Sequence, residues 1–128
     1  MATLDVVAMR PFVPARDFET SLGFYKELGF QSYPLGAGLA SLHLGPFAFL
    51  LQDYYVQDWA GNFMMHLLVQ DLDAWWAHIE GLNLGDRYDV KPPAEPKLQP
   101  WGLVVSYVFD PSGVLWHVAQ ERSQAGQG

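Results

Sequence analysis

Two aspartates organise this sequence. Asp17 and Asp71 each follow an apolar run and each precede a stretch whose apolar side chains recur at helical spacing, so one strand-to-helix start is written twice. After Asp17 the face is Phe18, Leu22, Tyr25 and Leu28, and Gly29 supplies a stop. After Asp71 it is Leu72, Trp75, Trp76, Ile79 and Leu82, with His78 on the solvated side. Two such units, each with one bare apolar sheet face, bury it by curling around a shared cleft.

The strands follow from turn chemistry. Residues 4–12 read as a first strand ending at Pro11 and Pro14, because proline lacks the ladder donor. Residues 30–33, 40–44 and 47–52 read as three more, separated by a Pro- and Gly-containing stretch and by Gly45-Pro46. Residues 63–69 and a stretch near 87–91 are the strands expected around the second helix. The prolines at 92, 93, 96 and 100 mark a surface loop. The chain closes with a hairpin around Asp110-Pro111-Ser112-Gly113, in which Leu115, His117 and Ala119 share one face and Trp116 and Val118 the other, under a helix. The expectation is an α+β fold in one domain over residues 1–128. It has a first βαβββ unit at about 3–52, an irregular connector at about 53–62, a second unit at about 63–120 and a frayed tail at 121–128. The mixed sheet should curve around a cleft with the helices packed outside.

Charge narrows the partners. Seven basic against 14 acidic residues give a net charge of -7, which repels nucleic acid and attracts cations. No apolar run approaches the roughly 18 residues of a membrane helix, and the first residues lack a basic-then-apolar leader, so a cytoplasmic location is expected. With no cysteine there is no disulfide, thiolate nucleophile or Cys-type zinc site.

Several motifs carry a resemblance: Pro100-Trp101-Gly102, Asp110-Pro111-Ser112-Gly113 with His117 four residues later, and Phe24-Tyr25 with Leu28-Gly29-Phe30. Together with the duplicated plan they resemble the glyoxalase, bleomycin-resistance and extradiol-dioxygenase superfamily, the vicinal oxygen chelate fold. In its metal-dependent members a glutamate usually stands where this chain has His117, so the chain is similar to the bleomycin-resistance branch. By that resemblance the four ligand positions fall on Arg10, Phe49, Met64 and His117. Slippage within residues 47–51 brings only Phe, Ala or Leu. His66 shares a strand face with Met64, but two imidazoles without a carboxylate are a poor zinc site and the Arg10 guanidinium would repel a metal. No metal or cofactor is therefore expected.

The branch implies a homodimer, sometimes exchanging the first strand, whose groove takes up a flat cationic glycopeptide antibiotic beside the tryptophan of the Pro-Trp-Gly motif. The residues expected to line it are Trp101 and Trp59 for stacking, His66, Tyr107 and His117 for the cleft, Arg10 as a further contact, and Asp53 and Asp58 for a positive tail. The first functional reading is a non-catalytic binder that sequesters such a ligand. The alternatives are a metal-dependent lyase, isomerase or dioxygenase centred on His66 and His117, and a binder of some unrelated small molecule.

Overall fold

The two helix starts behave alike in the computed structural model, which describes residues 4–122. Asp17 is extended and its carboxylate accepts the Thr20 N–H at 3.2 Å, opening α1 (Phe18–Leu28). Asp71 accepts the Ala74 N–H at 3.1 Å and opens α3 (Leu72–Gly81). Gly29, at φ 130°, ends α1 with its N–H turned back to the carbonyls of Tyr25 and Lys26. His78 is more than a solvated side chain: its Nε2 donates to the carbonyls of Glu27 and Leu28, both at 3.1 Å, joining α3 to the end of α1. Trp75 and Trp76 lie half-buried at the margin of the core, not at its centre.

The sheet is built as two four-stranded halves of the same design. The first has β1 (Phe12–Pro14), β4 (Phe47–Gln52), β3 (Leu39–Leu44) and β2 (Gln31–Gly36) in spatial order 1-4-3-2, with β1 parallel to β4 and the rest antiparallel. In the second, β5 (Met64–Leu68), β8 (Leu115–Glu121), β7 (Leu103–Phe109) and β6 (Lys97–Leu98) repeat that order and sense. Strand pairing corrects one correspondence. Phe12 faces Leu50 as His66 faces His117, so the first-unit counterpart of His117 is Leu50, while Phe49 points into the core. The tight turn between Leu44 and Phe47 places its glycine first, whereas the longer turn after Phe109 places Gly113 late. Counting from the glycines therefore lands one residue off, on the other face.

Three expected elements differ. Of the anticipated strand at 4–12 only Phe12 pairs, and β1 instead runs on through Pro14, tolerated because β1 is an edge strand. Ahead of it the Pro11 carbonyl still accepts the Leu50 N–H at 2.9 Å, whereas Leu4 is 97% and Val7 100% exposed. The connector contains a short helix, α2 (Gln57–Asn62). Where a strand was expected near 87–91 the chain forms α4 (Leu84–Tyr88), bounded by Asn83 and Asp89, both left-handed. Tertiary contact decides this outcome: Leu84 is buried, Tyr88 donates to Glu27 Oε2 at 2.6 Å and packs edge-on against Phe24, and Arg87 pairs with Glu27. The sheet position falls to the two-residue β6.

The two units share one core. Tyr25 of α1, Phe30, Phe49 of β4 and Trp116 of β8 interlock with ring centroids 5.0–5.8 Å apart, each contact contributing about 0.5–1.5 kcal/mol beyond burial. Trp116 does pack beneath a helix, its Nε1–H donating to the Tyr25 hydroxyl at 2.9 Å. That hydroxyl donates in turn to Asp110 Oδ2 at 2.5 Å, and Asp110 Oδ1 accepts the N–H groups of Ser112 and Val114. Burial pushes the Asp110 carboxyl up to about 6, with these hydrogen bonds pulling the other way.

Candidate functional site

Each sheet turns one face to the helices and leaves the other open. On the second sheet the open face carries three of the expected residues together. His66 of β5 and His117 of β8 are direct register partners with ring centroids 6.2 Å apart, and Tyr107 of β7 faces His117 edge-on at 5.0 Å. Met64 and Leu68 flank His66 on the same exposed face. His117 is half-buried. Burial holds it below the usual imidazole range and the neighbouring His66 adds to this. Among the described residues no carboxylate lies within ion-pair distance of either ring.

Two hollows adjoin this face. One of about 340 Å³ opens beside Tyr107 and is lined by Glu95, Lys97 and Gln99. Another, of about 380 Å³, is chiefly apolar and lies between β4 and β5, lined by Phe47, Phe49, Met65 and Trp116, with His66 at its rim. Apolar walls with a few polar groups are the usual composition of a small-molecule site.

The other expected residues are not gathered here. Trp101 sits in the turn between β6 and β7, 56% exposed, where Gly102 at φ 95° closes the turn by donating to the Gln99 carbonyl. Trp59, on α2, packs against Tyr54 and Phe63. Asp58 opens α2, and the Asp53 N–H donates to the Gly38 carbonyl beside the β2–β3 turn. Arg10 lies exposed on the segment before β1. Among the described residues no ion pair or ring contact connects Trp101, Trp59, Asp53, Asp58 or Arg10 to the His66–Tyr107–His117 group.

The corresponding face of the first sheet holds a counterpart that no motif in the sequence marks. Tyr33 lies edge-on to His43 at 5.1 Å, and Ser41 Oγ is 2.5 Å from His43 Nε2. The signal was present in the parity of Ser41 and His43 on one strand. What it lacked was the register that brings Tyr33 opposite Ser41. Glu95 was likewise hidden in a proline-rich stretch read only as a loop.

A metal does not fit this donor set. The ligand positions of the fold are occupied by Arg10, Met64, Leu50 and His117, and among the described residues no three His, Cys, Asp or Glu side chains converge. Zinc sites take at least three protein ligands.

The chain matches, over residues 3–118, the family model described as the glyoxalase/bleomycin resistance protein/dioxygenase superfamily. It belongs to that superfamily. Within the superfamily it is 27% identical over 121 residues to a bleomycin resistance protein of Klebsiella pneumoniae, covering 91% of this chain and 94% of the relative. Among solved structures it superposes with a TM-score of 0.76 on a bleomycin resistance determinant encoded on the transposon Tn5, at 26% identity over 89% of this chain and 97% of the other. A bleomycin-binding protein in complex with bleomycin gives the same TM-score at 24% identity, over 89% and 98% of the two chains. The duplicated βαβββ plan is thus the superfamily fold. No described helix is long and apolar enough to cross a membrane.

Proposed function

We propose that this superfamily member is a cytoplasmic homodimer that sequesters a cationic, partly aromatic small molecule of the bleomycin class and leaves it chemically unchanged. The observation that carries the reading is the open His66–Tyr107–His117 face, aromatic, exposed at its edges and adjoined by two hollows, on a chain of net charge -7. An aromatic face stacks a planar ring for roughly 1–3 kcal/mol, and a desolvated cation over a ring adds about 0.5–2 kcal/mol. The relatives whose names include bleomycin support the ligand class.

Dimerisation explains why one chain leaves its candidate residues divided. If the first sheet of one protomer faces the second sheet of its partner, Tyr33, His43, Asp53, Asp58 and Trp59 stand across the cleft from His66, Tyr107 and His117. Leu4, Val6, Val7 and Met9, apolar and exposed, lie on a segment that can cross to the partner and pair there, with Pro11 at the point of departure. The metal-dependent alternative has the His66–His117 pair in its favour but would need a ligand from outside the described residues.

Calorimetric titration with metal-free bleomycin tests the reading. Saturable binding with one drug per protomer is expected, and Trp101→Ala should weaken it by about 1–3 kcal/mol. Heats no greater than dilution would overturn the antibiotic assignment. Unchanged binding by the Trp101 variant would remove that side chain from the site.

A further inference from the structure

Two of the chain's seven Lys and Arg side chains border a single hollow, on a protein whose net charge is -7. The hollow, of about 270 Å³, opens between the turn after β7, the segment after α4 and the residue just ahead of Asp17. Its lining includes Arg16, Tyr55, Asp89, Lys91, Phe109 and Ser112. It shares no lining residue with the two hollows beside the His66–Tyr107–His117 face. Among the described residues neither Arg16 nor Lys91 has a carboxylate within ion-pair distance. We propose that this hollow is a further ligand site, which binds the phosphate group of a small phosphomonoester through Arg16 and Lys91.

Both cations are held in place without spending their donors. The Arg16 backbone N–H donates to Ser112 Oγ at 2.9 Å, and its Nη2 donates to the Pro111 carbonyl at 3.5 Å. Its guanidinium carbon lies 5.8 Å from the centre of the Tyr55 ring, and Lys91 Nζ lies 5.4 Å from the centre of the Phe109 ring. Ring contacts of this kind orient a cation and leave its N–H groups for a ligand. Ser112, only 6% exposed, adds a buried hydroxyl whose contact with Ser21 Oγ, at 3.5 Å, is long enough for an oxyanion to displace. Two acids also line the hollow. Asp110 is turned toward other donors, accepting the Tyr25 hydroxyl and the Ser112 and Val114 N–H groups. Asp89, exposed and left-handed, is the carboxylate that opposes a bound anion. Two cations against one opposing charge favour a phosphomonoester, which carries about -1.5 to -2 at neutral pH and matches the guanidinium fork. The volume falls below the roughly 300 Å³ at which drug-sized ligands begin, so the ester group must be small.

Proton–nitrogen NMR titrations of the full chain test the site, at constant ionic strength and at about pH 8, where histidine side chains are neutral. The probes are inorganic phosphate and phenyl phosphate, with sodium chloride as the control. Both phosphates should shift the Arg16, Ser112 and Gly113 amides saturably, and phenyl phosphate should bind more tightly because its ring gains the Tyr55, Phe109 and Pro111 walls. The Arg16→Gln/Lys91→Gln variant should bind about tenfold more weakly, whereas Lys26→Gln, which removes a cation outside the hollow, should leave affinity unchanged. Asp89→Asn keeps a residue that tolerates the left-handed conformation and should tighten binding about twofold by removing the opposing charge. That variant carries the test should the double variant fail to fold. Amide shifts that only follow chloride, equal affinity in the double variant, or weaker binding by Asp89→Asn would overturn the site. Inorganic phosphate binding more tightly than phenyl phosphate would overturn the ester assignment.

Discussion

Asp110 shows how much one side chain can carry. It closes the turn of the last hairpin by accepting the Ser112 and Val114 N–H groups, and it fastens that turn to α1 through Tyr25. Its carboxyl is raised from 3.8 to about 6 by burial, so the folded state binds a proton between those values that the unfolded state releases. The associated stability is complete below about pH 3.8 and is lost as the pH rises through about 6, amounting to about 3 kcal/mol. His117 works in the opposite direction: its depressed folded value makes stability fall as the pH drops below the ordinary imidazole range. Urea unfolding from pH 4 to pH 7 should therefore show a slope that Asp110→Asn removes at its acid-to-neutral portion. An unchanged slope in that variant would contradict the assignment. Tyr25→Phe leaves both Asp110 and the Trp116 Nε1–H short of a buried partner, and should cost about 2–4 kcal/mol by the same measurement.

Elements were legible where local signals and tertiary context agreed. Helices α1 and α3 follow from aspartate caps and helical spacing, and β4 matches its expected limits because Gly45-Pro46 and alternating burial fix it. The stretch near 87–91 was misread because its local composition does not reveal that Tyr88 and Arg87 meet Glu27 and that Leu84 enters the core. Leu84→Ala should cost about 2–5 kcal/mol, read from the urea midpoint, because it opens a cavity beneath α4. His66, Tyr107 and His117 were recoverable from strand parity, since alternation fixes which side chains share a face. Trp59 was not: placing its ring against Tyr54 and Phe63 needed a helix that a Gly-containing connector does not advertise. Alternation alone likewise suggests a strand over residues 4–12, although the register with β4 begins only at Phe12. Deleting residues 1–10 should convert a dimer to monomers in sedimentation velocity, and a truncated chain that still dimerises would place the interface elsewhere.

At the scale of the whole molecule, the two units are joined through their helix faces, with Trp116 of the second set among Tyr25, Phe30 and Phe49 of the first. Using those faces for the core leaves both open faces outward, one presenting Tyr33 and His43 and the other His66, Tyr107 and His117. In the proposed dimer each of these faces is a half-site that the second copy completes. The proposed dimer then forms two complete ligand clefts. Native mass spectrometry with metal-free bleomycin should show a dimer that gains two drug molecules, whereas a monomer that binds the drug, or a dimer that ignores it, would refute the paired clefts.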